Sequence, residues 1–323
     1  MSGDRLTAVL ACYDLPSDSR IELLRHGENT TYRVDTTDGR RFALRQHRPG
    51  YQTAAAIVSE IAWMTALREA GVRTPRVVLG IDGRPLQTLQ LSLDFALFEW
   101  VEGVPLSAIE TLSPWRRLGE LMAHVHEHGS SWRRPAGFVR PAWDAEALVG
   151  EHPRWGAPDR GRAFNARTRS LIAACRAEVS ARLAAIGCGA DRFGLIHGDL
   201  SFENVLVEKT GAVAIIDFDD CGESWFVHEL AVALYPHEGH EGFDERRDAL
   251  VEGYRSVRKL PEQLIAELPT FLMARRLAGL GWVFSRAETE HAEAQRAQRV
   301  QSLPAAAERF IAWASEQPVP AQS

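Results

Sequence analysis

Ile196-His197-Gly198-Asp199-Leu200-Ser201-Phe202-Glu203-Asn204, with Ile215-Ile216-Asp217-Phe218-Asp219 behind it, is the stretch on which the reading of this chain turns. It holds an Asp, an Asn five residues on, and a second Asp that closes a short apolar run. Leu195-Ile196, Val205-Leu206-Val207 and Ala214-Ile215-Ile216 read as short strands. Asp199 therefore falls at the tip of a tight loop, and the strands bring Asn204 and Asp217 within a few ångströms of each other. A loop-tip carboxylate is placed to accept a hydroxyl proton, and facing amide and carboxylate oxygens suit a hard cation. Any one of these residues arises easily by chance; all three in one frame do not.

The frame follows the His-Arg-Asp-Leu-x-x-x-Asn and Asp-Phe-Gly motifs of protein kinases. Gly198 stands where those have Arg, and Asp219 where they have Gly. In that form, His197-Gly198-Asp199…Asn204…Ile216-Asp217-Phe218-Asp219-Asp220 resembles the aminoglycoside phosphotransferase family of small-molecule kinases. That family includes homoserine, choline and hydroxylysine kinases and a bacterial stress-response protein kinase. The likeness runs from about Leu24 to Arg286, with its specific motifs at 196–219 and, more loosely, 28–60. It implies an α+β, bilobal, protein-kinase-like fold, with a small antiparallel-sheet N-lobe carrying one main helix and a larger, mostly helical C-lobe. The division expected is 1–101 for the nucleotide-binding lobe, 102–316 for the catalytic and acceptor-binding lobe, and 317–323 for a disordered tail. No Ala-Pro-Glu follows Asp217, and the Arg that receives a phosphorylated activation loop is absent. The resemblance thus implies a constitutively competent enzyme.

The walk along the chain agrees with that order of elements. Tyr32-Arg33-Val34 and Phe42-Ala43-Leu44 flank the turn pair Asp38-Gly39. Ile57, Ile61 and Met64 recur at helical spacing within 53–70, which Gly71 stops. Val77-Val78-Leu79 and 95–101 read as strands, and Glu102-Gly103 as the linker between lobes. From Ser113-Pro114, an N-cap and first-turn Pro, the pattern is helical. Helices are expected from there through Val125, then over 163–186, 225–235, 244–257, 262–285 and 300–315.

The chain has 323 residues, 45% hydrophobic and 25% charged, and a net charge of −6. That is enough for two cored lobes of an ordinary globular protein. An acidic balance argues against nucleic acid, whose phosphates demand a basic footprint, and fits a cationic acceptor as well as it fits plain solubility. With no long apolar run and no leader-like N-terminus, neither a membrane span nor export is expected, and the cytoplasm is the expected compartment. Cys12, Cys175, Cys188 and Cys221 lack metal-type spacing and are expected as thiols.

The resemblance implies site roles residue by residue. Asp199 is the expected catalytic base, Asn204 and Asp217 are the Mg²⁺ ligands, and ATP (or GTP) is the cosubstrate. His197 reads better as a brace of the loop than as a proton carrier. Asp219 fits either the outer surroundings of the metal or the substrate side, and Glu203 stands where Gly is common, with no role assigned. Asn29, Thr30 and Thr31 in His26-Gly27-Glu28-Asn29-Thr30-Thr31-Tyr32 resemble the phosphate-side loop of small-molecule kinases. The chain's lysines are Lys209 and Lys259, so Arg45 stands where kinases carry Lys, paired with Glu60 of the 53–70 helix. Glu99 and Val101 would border the adenine. Glu229 replaces an Asp that braces the loop, and its extra methylene predicts a looser hold. The segment Pro236-His237-Glu238-Gly239-His240-Glu241 lacks zinc spacing; it reads as a loop beside the acceptor, with Glu238 and Glu241 open to an ammonium group, or as a solvated loop. The function implied is transfer of the γ-phosphate to a hydroxyl of an amino alcohol, hydroxy amino acid, aminoglycoside or similar metabolite. A Ser/Thr protein kinase with an open acceptor groove and a nucleotide-binding scaffold without transferase activity are the alternatives.

Overall fold

A computed structural model describes residues 3–89, 93–109, 111–159, 164–201 and 203–319. Helix α1 (Gly3–Ala11) precedes β1 (Arg20–His26), β2 (Thr30–Asp35) and β3 (Arg41–Gln46); then come α2 (Ala54–Glu69), β4 (Val77–Val78), β5 (Gln87–Leu89) and β6 (Leu93–Glu99). These strands form one antiparallel sheet in the order β1-β2-β3-β6-β4, with β5 paired to the start of β6. The period of two sorts its side chains. Tyr32, Val34, Phe42 and Leu44 bury against Val9 and Leu10 of α1 and Tyr13 just beyond it. Ala96 and Phe98 turn the other way, toward Ile57 and Ile61 of α2. Arg45 shares that second face, which is why a charged strand residue reaches the centre of the molecule.

After the linker, β7 (Val104–Pro105) is followed by α3 (Ser113–Ser131), α4 (Ala145–Val149) and α5 (Ala166–Ile186). Three short strands come next, β8 (Phe193–Ile196), β9 (Val205–Val207) and β10 (Val213–Ile215), then β11 (Gly222–Trp225). The hairpin β9–β10 takes β7 as a third strand, and β8 pairs β11. The chain ends in α6 (Phe226–Leu234), α7 (Phe243–Arg255), α8 (Glu262–Ala266), α9 (Leu268–Ser285) and α10 (Glu290–Glu316). The architecture is bilobal α+β. One apolar core runs from α2 into the helical part, and Trp63 of α2 meets Phe218 edge-on at 5.8 Å.

Departures from the expected elements have physical reasons. The stripe Leu6, Val9, Leu10, Tyr13 has helical spacing, and α1 forms because that stripe roofs the sheet; no helix was expected there. The expected helix 262–285 is two helices. Pro269 in the first turn of α9 cannot continue a preceding helix, and Glu267 closes the junction by accepting from Thr270 Oγ1 at 2.7 Å. The last helix begins ten residues earlier than its apolar period suggests, capped by Thr289 Oγ1 accepting from Ala292 N. The expected helix 163–186 begins as α5 with Asn165 as its cap. Residue 163, Phe202 and the last four residues of the expected tail lie outside the described residues. The four cysteines are free thiols, and among the described residues no helix is long and apolar enough to cross a membrane.

Candidate active site

The loop between β8 and β9 is held from behind. Glu229 of α6, fully buried, accepts from His197 N at 2.5 Å and from Gly198 N at 3.0 Å. The expected looser hold is therefore not found: the longer side chain reaches both amides. His197 has both ring nitrogens engaged, Nε2 with Ile216 O at 3.0 Å and Nδ1 accepting from Asp199 N at 3.3 Å. It is a brace. Gly198 sits at φ +85°, and a Cβ there would lie 2.4 Å from Asp220 O, so the kinase Arg has no room at this position.

Asp199 is fastened at both oxygens. Asn204 Nδ2 donates to its Oδ2 at 3.0 Å and to its carbonyl at 2.8 Å, while Arg275 Nη2 of α9 donates to Oδ1 at 2.5 Å. Arg275 is buried with its guanidinium 4.9 Å from the Trp155 ring. The sequence reading missed this residue as a site component, since nothing in a helical Arg-Arg pair seventy-six positions downstream marks its partner.

Across the cleft, Arg45 bridges two elements. It donates to Glu60 of α2 and, at 3.0 Å, to Asp217 Oδ1, over the Phe98 ring. Burial opposes its charge, but Glu60, Asp217 and Asp219 outweigh that and raise its pKa. Asp217 adopts φ 63°, a left-handed conformation uncommon for a residue with a side chain. Asp219 is buried beside His47 at 3.8 Å, and neither of its carboxylate oxygens has a hydrogen-bond partner among the described residues. Burial pushes Asp219 up, yet His47, Arg45 and Arg140 outweigh it and hold the carboxyl at about 2. Its neighbour Asp220 goes the other way: burial and the charges of Asp219 and Asp199 raise it well above the usual range, and Tyr51 donates to it.

These residues test the fit to a hard cation. Asn204 spends its amide nitrogen on Asp199, so its oxygen is what it can offer a metal. Asp217 shares one oxygen with Arg45, and Asp219 is a buried anion whose oxygens lack partners. His47, Arg45 and Arg140 answer part of that charge, and the Asp219 oxygens, unbonded among the described residues, stay available to a further cation. The donor set is all oxygen, as Mg²⁺ prefers.

A cavity of about 350 Å³ opens over this floor. Asn29, Thr31, Asp199, Asp217 and Asp219 line it together. Asn29 Oδ1 accepts from Arg48 N at 3.0 Å, and Thr30 Oγ1 is bonded to His26 Nδ1 at 2.9 Å. Glu99 and Val101 line a different cavity, beside Arg76, Trp100 and Ala214. Arg45, Glu60 and Asn204 are buried beneath the floor. The far wall comes from α9 and α10, with Arg275, Arg276, Gln295 and Arg299, and from the turn after α6, with Glu238. Glu238 accepts from Arg276 at 2.7 Å, so the 236–241 segment does border the cavity, whereas exposed Glu241 does not line it. Glu203 pairs with Arg25 at 2.5 Å, tying the loop to β1. Arg286 donates to Glu28 at 2.9 Å, tying the end of α9 to the β1–β2 turn.

The family model described as a phosphotransferase enzyme family matches residues 20–262. The chain belongs to this phosphotransferase family. Its structure aligns at a TM-score of 0.88 with a microcompartment-associated aminopropanol kinase, at 33% identity over 98% of this chain and 99% of the other. Homoserine kinase of Sinorhizobium fredii is 28% identical over 282 residues, 85% of this chain and 81% of its own. Amicoumacin kinase of Bacillus subtilis is 22% identical over 278 residues, 81% and 79% respectively. Membership makes the protein a kinase acting on an alcohol group, with ATP as the family's cosubstrate, and the relatives named here are small-molecule kinases.

Proposed function

We propose that the protein transfers the γ-phosphate of Mg·ATP to the hydroxyl of a small amino alcohol or hydroxy amino acid. The observation that carries this is the clamped Asp199 in a cavity of about 350 Å³ shared with Asp217 and Asp219. Asp199 accepts the hydroxyl proton as the oxygen attacks the γ-phosphorus; the bond to the β–γ bridging oxygen breaks, and ADP leaves with that oxygen. Asn204 and Asp217 would hold Mg²⁺, with Asp219 as the charge behind them. When bound, Mg²⁺ would supply positive charge that offsets the phosphates in the transfer.

Asn29, Thr30 and Thr31 receive the phosphates from the β1–β2 side, and Arg45, aligned by Glu60, takes the place of the kinase Lys. Glu99 and Val101 border the base. The nucleotide lobe is 1–101 and the acceptor lobe 102–316. The wall of α9 and α10, tied to the β1–β2 turn, and the modest volume of the cavity support a small acceptor over a protein. The complete set Asp199, Asn204 and Asp217 opposes the scaffold reading. Aminopropanol and homoserine, the acceptors named for two relatives, are short molecules with an amine and a hydroxyl, a size that suits this cavity.

The test is ADP release and phosphate transfer from ATP and GTP to amino alcohols, hydroxy amino acids, aminoglycosides and a generic protein, with and without Mg²⁺, and with Asp199→Asn as control. Mg²⁺-dependent transfer to a small acceptor that vanishes in Asp199→Asn is the expected result. Labelling of protein alone would overturn it.

A further inference from the structure

Charge in the cavity is unevenly matched. Four arginines line it: Arg25, Arg275, Arg276 and Arg299. Arg25 pairs with Glu203, Arg275 with Asp199 and Arg276 with Glu238. Arg299 has no carboxylate partner among the described residues. Its Nε and Nη2 both donate to the neutral Gln295 Oε1, at 3.0 and 2.6 Å, and its buried Nη1 has no hydrogen-bond partner. The guanidinium lies over Tyr235 at 5.5 Å, a ring that Arg276 also covers at 5.0 Å. Burial, with Arg275 and Arg276 nearby, pushes the pKa of Arg299 down against the opposing pull of Tyr235 and Asp199.

The surrounding wall gives no answer to that charge. The other α10 side chains lining the cavity are His291, Gln295, Gln298 and Ser302, none of them an anion. The carboxylate at this end, Glu238, is committed to Arg276. An ion placed out of water without a counter-charge is costly unless a partner supplies one, and a guanidinium is the side chain best shaped for carboxylate or phosphate oxygens. The acidic floor, by contrast, is where the reacting hydroxyl goes.

We propose that the phosphate acceptor carries an anionic group, received by Arg299 at the α10 wall while its hydroxyl reaches Asp199. This rests on the proposed kinase site and narrows its substrate: an acid-bearing alcohol over a plain amino alcohol. A carboxylate and a phosphate ester share this chemistry.

The test is kcat/KM for four matched acceptors: 3-aminopropan-1-ol; homoserine, which adds only a carboxylate; 4-hydroxybutanoate, which keeps the acid without the amine; and glycerol 3-phosphate. They are measured with wild type, Arg299→Met and Arg299→Lys, together with calorimetric binding of each acceptor. An acid-bearing acceptor is expected to be favoured about tenfold or more over the amino alcohol, the scale of a charge-assisted contact. That preference should disappear in Arg299→Met and return in part in Arg299→Lys. Preference for glycerol 3-phosphate would identify the anion as phosphate and supports the proposal equally. Asp199-dependent transfer to 3-aminopropan-1-ol at equal or better efficiency, unchanged in Arg299→Met, would overturn the anion site and leave the kinase reading standing. Binding preferences are read even where no transfer occurs, so failure of the kinase reading is seen separately. Thermal unfolding guards against a structural role: Arg299→Met should melt at or above the wild-type temperature, and a large fall would count against the proposal.

Discussion

The two ends of the cavity are built in opposite ways. The acid floor comes from 197–219, a single strand-loop-strand stretch whose carboxylates are braced by backbone, amide and Arg45. The far wall is assembled from the turn after α6 and from α9 and α10, whose contributing residues lie some sixty positions apart in the chain. One end is local and its charges are answered within the protein, apart from the Asp219 oxygens, which have no hydrogen-bond partner among the described residues. The other is non-local and holds a guanidinium with no carboxylate partner among the described residues.

The sharpest way to break this contrast is at the floor. Asp199→Asn is expected to lower kcat by roughly 10²- to 10⁴-fold, the usual worth of a general base, with KM for ATP little changed. Steady-state kinetics checks it, and retained turnover would remove Asp199 from its role. Next in size, Glu60→Ala leaves Arg45 charged and buried beside a single half-exposed partner, Asp217. A loss of about 3–5 kcal/mol in denaturant unfolding is expected; a small loss would show that Asp217 alone satisfies the guanidinium.

A smaller effect is expected where the two ends meet. Arg275→Met frees one oxygen of Asp199 without touching the loop braces. A fall in kcat of about tenfold is expected from the loss of one charged hydrogen bond, with ATP binding by calorimetry unaltered. Equal damage to ATP binding would show that the floor is not self-contained.

A last effect, on stability alone, concerns the support beneath the wall. His228 of α6 is buried, and burial with the nearby Arg275 charge pulls its pKa down to about 3. Since the folded pKa lies below the unfolded value, the unfolded chain binds the extra proton below about pH 6.5. Stability is therefore retained above that pH and lost on acidification toward pH 3, by at most about 1.4 kcal/mol per pH unit for one proton. His228→Asn should flatten the unfolding free energy between pH 6 and 4 by about that slope. An unchanged profile would assign the acid sensitivity to His126 or His237, whose pKa values burial also lowers.

The same division decides what could be read in advance. The strands 32–34 and 42–44, the α2 helix and the Asp199, Asn204, Asp217 frame were legible because period and spacing act over a few residues. The Arg45–Glu60 pair was legible too, since a strand residue and a helix residue fifteen apart meet in any sheet-helix packing of this order. The first turns of α10 were not. Glu290-His291-Ala292-Glu293-Ala294-Gln295-Arg296 has no apolar stripe, and it is helical through its Thr289 cap and its packing on α9. The partners of Arg275 and Arg299 went unread for the same reason.

By itself, then, the sequence determined the α+β kinase-like order of elements and the identity of the acid floor, because both rest on local periodicity and on residues only a few positions apart. Only the tertiary structure decided that α9 clamps Asp199 through Arg275, that Glu229 reaches two loop amides, and that Arg299 stands in the cavity with no carboxylate partner among the described residues. Those contacts join residues 31 to 76 positions apart or depend on which of several buried charges face one another. Long-range pairing of that kind is set by helix packing, and nothing in a single sequence marks it.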